Sequence, residues 1–180
     1  MGEGTRAGLI SVVGGESTGK STLTTALAPR LPAIVVGEHL RDWVDTHGRV
    51  PRAAEQSALM LTQHEAERAA LLRADETGYP WVVSDSGPLM TAVYSIQYYC
   101  DDSLLPRALE WAAQADVLVW CQDDFPWQPD PQRDGPDARA TSQNILADII
   151  AANPGLPVRA LRGPLSARIA TVLTALTGRD

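Results

Sequence analysis

The sequence predicts a single α/β domain built on a largely parallel, five-stranded sheet. Three observations carry this expectation. Five short apolar runs recur along the chain, at Gly8–Val13, Ala33–Val36, Trp81–Asp85, Asp116–Cys121 and Val158–Leu161. Segments rich in Ala, Leu and Glu separate most of them, so strand and helix signals alternate as they do when helical crossovers join parallel strands. The first three runs also stop at Gly or at a carboxylate, where functional loops of open α/β sheets begin.

Each element has a local reason. Gly8–Val13 stops at Gly14-Gly15 and reads as a buried strand. Lys20 to Ala28 reads as a helix, stopped by Pro29 and Pro32. Ala33–Val36 is closed by Gly37-Glu38, and a helix through Trp43 to His47 breaks at Gly48. Pro51 sits where a helix takes its first residue, and Arg52 to about Asp75 is a long helix ended by Gly78-Tyr79-Pro80. Trp81–Asp85 is the third strand. Helices are expected over Leu89–Tyr99 and Ser103–Ala115, followed by the strand Asp116–Cys121. Gln122–Asp137 is crowded with Asp and Pro and reads as a mobile loop, the core of a lid at about 122–139. A helix near Ser142–Ala152, the strand Val158–Leu161 and an amphipathic helix marked by Leu165, Ile169, Val172, Leu173 and Leu176 complete the chain.

Composition narrows the functional classes. With 180 residues, 44% hydrophobic and 21% charged, the chain suits one globular domain able to bury about 70% of its unfolded surface. No apolar run approaches the ~20 residues of a membrane span, and the N-terminus has no hydrophobic signal core, so a cytoplasmic location is expected. The net charge of −7 and the lack of basic clusters argue against nucleic acid or an anionic membrane as partner. Cys100 and Cys121 are too few and too far apart for a disulfide framework or zinc site and read as two buried thiols. His39, His47 and His64 have no metal-ligand spacing.

The strongest motif is Gly14-Gly15-Glu16-Ser17-Thr18-Gly19-Lys20-Ser21, which fits G-x-x-x-x-G-K-[ST], the P-loop pattern. Glycines let such a loop curl so that backbone N–H groups converge on phosphate oxygens at a helix N-terminus. Lys20 can reach β- and γ-phosphates, the Ser21 hydroxyl can join a Mg²⁺ shell, and Thr22 extends the cradle. Of the fifteen Lys and Arg residues, Lys20 is the only Lys. A compact ammonium and a wide guanidinium fork are not interchangeable in a tight phosphate cradle. At average residue usage, the chance that the neighbours of a lone Lys fit this pattern is on the order of one in a thousand. ATP with Mg²⁺ is therefore the expected ligand.

The remaining candidates stand at other strand ends or in the lid. Asp85 can hold Mg²⁺ or accept a proton from an attacking hydroxyl; as an alternative it caps the next helix. Glu38 and Arg41, one helical turn apart, can bind an acceptor, and Glu38 competes with Asp85 for the role of base. The bland reading of that pair is a surface ion pair. Arg133 and Arg139 can neutralise charge on a transferring phosphoryl group, while Trp127 can pack the lid or stack on a base. Gln63 can bond a substrate or simply be solvated.

Together, Gly14–Thr22, Glu38-x-x-Arg41, Asp85-Ser86, Thr91, Ile96-Gln97-Tyr98 and Trp127…Arg133…Arg139 resemble the NadR-type ribosylnicotinamide kinase domain, a nucleoside-kinase-like P-loop family of AAA-type ATPases. The resemblance covers most of the chain. It implies a three-layer P-loop NTP hydrolase fold and phosphorylation of nicotinamide riboside by ATP. It places Lys20 and Ser21 at phosphates and Mg²⁺, Asp85 at Mg²⁺ or the acceptor hydroxyl, Glu38 and Arg41 near the acceptor, and Arg133 and Arg139 on the lid. Two positions depart from the family pattern. Gly87 stands where a second acidic residue is common, and the lid's Asp-Gly-Leu-Arg reads Asp130-Pro131-Gln132-Arg133. The expected partner is a small nucleoside-like acceptor, and the sequence is compatible with a homo-oligomer. A kinase for another nucleoside or metabolite, and a regulatory ATPase acting on a partner protein, are the competing expectations.

Overall fold

Parallel strands need crossovers that return the chain to the same edge of the sheet, and helices supply them here. The computed structural model describes residues 6–129, 131 and 134–177. Its strands are β1 (Gly8–Val13), β2 (Ala33–Val36), β3 (Trp81–Asp85), β4 (Val117–Cys121) and β5 (Val158–Leu161). Its helices are α1 (Lys20–Leu27), α2 (His39–His47), α3 (Ala53–Thr77), α4 (Pro88–Tyr99), α5 (Leu105–Ala112), α6 (Pro136–Ala152) and α7 (Leu165–Leu176). The strands form one sheet in the order β2-β3-β1-β4-β5, every pair parallel. This is the α/β class the sequence predicts, with helices on both faces.

Alternation along the strands divides the core. Ile10, Val12, Val83, Val117 and Val119 face α1 and α7, packing with Leu23, Leu27, Ile169 and Val172. Val13 and Leu118 face the other way, against Met60, Leu89, Met90, Val93 and Leu146 of α3, α4 and α6. Leu9, Val36 and Val82 meet Ala70 and Ala74 of α3. The inner strands β1, β3 and β4 are buried on both faces and read as nearly continuous apolar runs, whereas the edge strands β2 and β5 are partly exposed. Among the described residues, no helix is long and apolar enough to cross a membrane.

Three local expectations are corrected. First, α6 begins at Pro136 rather than near Ser142. Gly135, at φ 118°, turns the chain and Pro136 takes the first helical position, so Arg139 stands on a helix and not in a loop. Second, α5 runs only from Leu105 to Ala112, because residues 113–115 tighten into i→i+3 bonds such as Ala115 N–H to Ala112 O before β4. Third, Cys121 is buried but Cys100 is exposed, because it caps the end of α4 in the left-handed conformation at φ 52°.

Gly87, the departure from the family pattern, has a steric explanation. A Cβ at Gly87 would collide with Ser11 Oγ and come within 3.3 Å of Glu67 Oε1. Its φ of −55° is open to any residue, so the restriction is packing and not backbone. Gly87→Ala is expected to destabilise the fold by about 1–3 kcal/mol. Adding Ser11→Ala should restore most of the loss, since it removes the colliding oxygen. Urea denaturation of the single and double variants measures both effects.

Candidate active site

Strand register brings the candidate residues together. Val12 of β1 pairs with Asp85 of β3, so the cradle that starts at Gly14 rises beside Asp85. Val36 of β2 pairs with Ser84, which sets Gly37 and Glu38 on the far side of Asp85. Trp120 of β4 pairs with Val13 and delivers the lid to the opposite flank of the cradle. The chain order thus reverses around β1, and the crevice at such a switch point is where open α/β sheets bind ligands.

The cradle is held from several sides. Lys20 Nζ donates to Gly14 O at 2.9 Å and to Gly15 O at 3.1 Å. Thr18 Oγ1 donates to Gly15 O at 2.7 Å. Gly15 N–H donates to Gln143 Oε1 at 3.0 Å, while Gln143 Nε2 donates to Cys121 O at 3.0 Å, so α6 is tied to the loop and to β4. A Cβ at Gly15 would lie 2.9 Å from Ser142 Oγ and 3.0 Å from Arg139 O, and only glycine allows α6 this close. Arg168 of α7, 3% exposed, donates to Thr18 O, Gln122 O and Gly163 O, each at 2.9 Å, and pairs with Asp124. Its guanidinium also lies 4.9 Å from the centre of the Phe125 ring.

The lid meets the cradle through Glu16. Its carboxylate accepts from Trp127 Nε1 at 3.2 Å, Asp134 N–H at 3.0 Å and Gly135 N–H at 2.8 Å. Two of these donors lead into α6, so the carboxylate also satisfies the helix N-terminus. Ser17 Oγ accepts from Gln128 N–H at 2.8 Å. Arg139 donates to Phe125 O at 3.1 Å, and its Nε is buried without a partner. Arg133 lies outside the described residues.

A cavity of about 610 Å³ joins the cradle to the segment that begins at Glu38. Residues Glu16 to Thr22 line one end, and Glu38, Arg41, Val44, Tyr94, Tyr98 and Tyr99 line the other. Glu38 is the N-cap of α2, and its carboxylate lies 3.9 Å from Arg41 Nε. Asp85, Trp127 and Arg139 do not line this cavity. Asp85 is buried at the end of β3 with Oδ1 unpartnered, and Gly87, not Asp85, caps α4. Burial, followed by the nearby Glu38, Glu16 and Asp85 carboxylates, pushes the Tyr94 phenol well above its usual range and keeps it a neutral donor.

Behind Glu38 lies a buried polar network. Gln63 Oε1 accepts from His39 N–H at 3.0 Å, and Gln63 Nε2 donates to Gly37 O at 3.2 Å and Ser84 Oγ at 3.1 Å. Glu67 stands beyond it with Oε1 buried and unpartnered, and burial pushes its carboxyl up to about 7 against the opposing influence of the Ser84 hydroxyl.

Sequence reasoning missed Arg168, Gln143, Glu67 and Tyr94. A signal existed for two of them. Gln56, Met60, Gln63, Glu67, Ala70 and Ala74 share the buried stripe of α3. Arg168 stands three residues after Leu165 and four before Val172, on the inward face of α7. A charged or amide side chain at an inward position must find buried partners.

Comparison with known proteins follows this geometry. A family described as "AAA domain" matches residues 9–168. A structure of NadR protein in complex with NR is 19% identical, with a TM-score of 0.76 over 96% of this chain and 50% of that one. Thymidylate kinase from Ehrlichia chaffeensis is 15% identical, with a TM-score of 0.68 over 94% of this chain and 98% of that one. Deoxyadenosine kinase from M. mycoides is 10% identical, with a TM-score of 0.63 over 94% and 99%. The chain therefore spans about half the length of the NadR protein, and it has the fold of P-loop nucleoside kinases. No curated protein matches it.

Two expectations follow from the geometry. Burial favours protonated Glu67, so its stabilising contribution is complete below the ordinary value of 4.5 and is lost as pH rises through about 7. Between pH 4.5 and 8, wild type should lose on the order of 3 kcal/mol relative to Glu67→Gln in urea denaturation. A pH-independent difference would show Glu67 to be charged throughout. For the lid, Glu16→Ala should make proteolytic cleavage between residues 126 and 135 about tenfold faster, as hydrogen bonds to a charged group are worth ~1.5–3 kcal/mol.

Proposed function

The chain belongs to the AAA domain family, and on that premise we propose that it is an ATP-dependent phosphotransferase whose acceptor is the hydroxyl of a small nucleoside-like molecule. The observation that carries this reading is the single cavity shared by the cradle and the Glu38 segment. A switch acting on a protein has no need of such a chamber, whereas transfer to a small molecule needs donor and acceptor enclosed together. Nicotinamide riboside is the first candidate acceptor, supported by the fold likeness to a NadR structure holding NR.

ATP phosphates would lie on residues Gly14–Thr22, at the positive end of α1. Lys20 Nζ has three N–H bonds and spends two on Gly14 O and Gly15 O, leaving one for a phosphate oxygen. Arg139, from the first turn of α6, and Arg133, from the segment before it, would add positive charge. Glu38 lines the cavity and Asp85 does not, so Glu38 is assigned to orient the hydroxyl and take its proton. The acceptor oxygen forms a bond to the γ-phosphorus as the bond to the β–γ bridging oxygen breaks, and ADP leaves with the electron pair. Arg41 and Trp127 are assigned to acceptor binding and to packing of the lid.

The residues present fit Mg²⁺. Asp85 Oδ1 is a buried acceptor without a partner, and Ser21 is among the residues that line the cavity. Hard oxygen donors and one carboxylate, completed by substrate phosphates, are what this ion takes in such sites. When bound, it would neutralise charge on the β- and γ-oxygens.

Release of ADP over a panel of nucleosides tests the reading. Nicotinamide riboside should stimulate it most, and Lys20→Ala should lower the stimulated rate by about 10²–10³-fold. Another nucleoside winning would retain the class and change the substrate. Stimulation by a protein partner alone would overturn the kinase reading.

A further inference from the structure

Two carboxylates on different strands must keep a fixed separation for the proposed transfer, and backbone register alone does not provide it. Asp85 is rigid at the end of a central strand, but Glu38 sits on the turn from the edge strand β2 into α2. Gly37, just before it, is exposed, with open space where a Cβ would be. Nothing in the local sequence stiffens that turn. One side chain spans the gap. Gln63, 3% exposed, bonds the carbonyl before Glu38 and the amide after it, and with the same Nε2 reaches the Ser84 hydroxyl next to Asp85.

We infer that Gln63 is a positioning residue that clamps the peptide groups on either side of Glu38 and, through Ser84, fixes Glu38 relative to Asp85. A Gln needed only to satisfy its own burial could bond any two backbone groups. This one brackets Glu38, the carboxylate that lines the cavity away from the cradle, and ties it to the neighbouring strand. The clamp acts on the acceptor half and leaves the cradle untouched, since none of its bonds reaches Gly14–Thr22. Its catalytic meaning rests on the kinase reading above; the clamp itself does not.

Gln63→Met keeps length and volume and removes every bond. Three readouts on the full chain separate the outcomes: amide hydrogen exchange of residues 37–41, affinity for a non-hydrolysable ATP analogue, and acceptor-dependent ADP release. The expected result is exchange about tenfold faster in 37–41 and analogue affinity within twofold of wild type. The kcat/KM for the acceptor should fall about tenfold or more, while KM for ATP stays constant. Unchanged exchange in 37–41 overturns the clamp. Faster exchange with acceptor kcat/KM within twofold overturns its positioning role. If Gln63→Met does not fold, Ser84→Ala carries the test, because it cuts the link to β3 and should raise KM for the acceptor but not for ATP. A wild-type protein that no nucleoside stimulates overturns the kinase reading instead, and the exchange measurement alone then judges the clamp.

Discussion

The site depends first on the parallel register of three neighbouring strands. With β1 between β3 and β4, Val12 beside Asp85 and Val13 beside Trp120, the cradle has a carboxylate strand end on one flank and the root of the lid on the other. A slip of one residue would exchange the two faces of a strand. It would turn Val12 and Ile10 away from α1 and α7 and carry Ser11 from its place by Gly87 into that apolar layer. The hydrophobic core therefore enforces the geometry of the polar edge. Core and site are one constraint seen from two ends of the same strands.

Around that edge, a small number of long polar side chains translate strand positions into loop positions. Arg168 connects the cradle, the end of β4, the lid root and the loop after β5; Gln143 connects cradle, β4 and α6; Gln63 connects β2, β3 and the acceptor turn. Each comes from a helix, and each is buried and bonded to groups from two or more segments. A loop cannot be stiffened by its own sequence when it must also bend around phosphates, so rigidity is supplied by neighbours. Glu16 is the counterpart on the loop itself, reaching outward to hold the lid.

The fold and the cradle were legible because their signals are local. Apolar runs buried on both faces announce strands, and a glycine pattern with a lone Lys announces a phosphate loop. The start of α6 was hidden because Asp and Pro crowd the residues before it, and the turn at Gly135 that permits Pro136 to open a helix is conformational rather than compositional. Arg168, and the bridging role of Gln63, were hidden for another reason. Their partners are 5 to 150 and 21 to 26 residues away, respectively, and no window along the chain contains them all. Only their inward positions on buried helix stripes betray them, and that clue becomes decisive once burial is known. The Gly87 departure likewise looked chemical in the sequence and proves to be a matter of space claimed by Ser11.

Lys20 is the only lysine of the chain, and it sits at the centre of the cradle with its amine turned onto Gly14 O and Gly15 O. The other fourteen of the fifteen Lys and Arg residues are arginine. The protein therefore carries one ε-amino group, and it lies where phosphates are expected to bind. An amine-directed acylating reagent has a single side-chain target of this kind, and occupancy of the cradle would decide whether it can react. A choice that phosphate geometry imposes on one residue thus doubles as a built-in chemical address, at which a probe or tether could be attached without competition from another lysine of this chain.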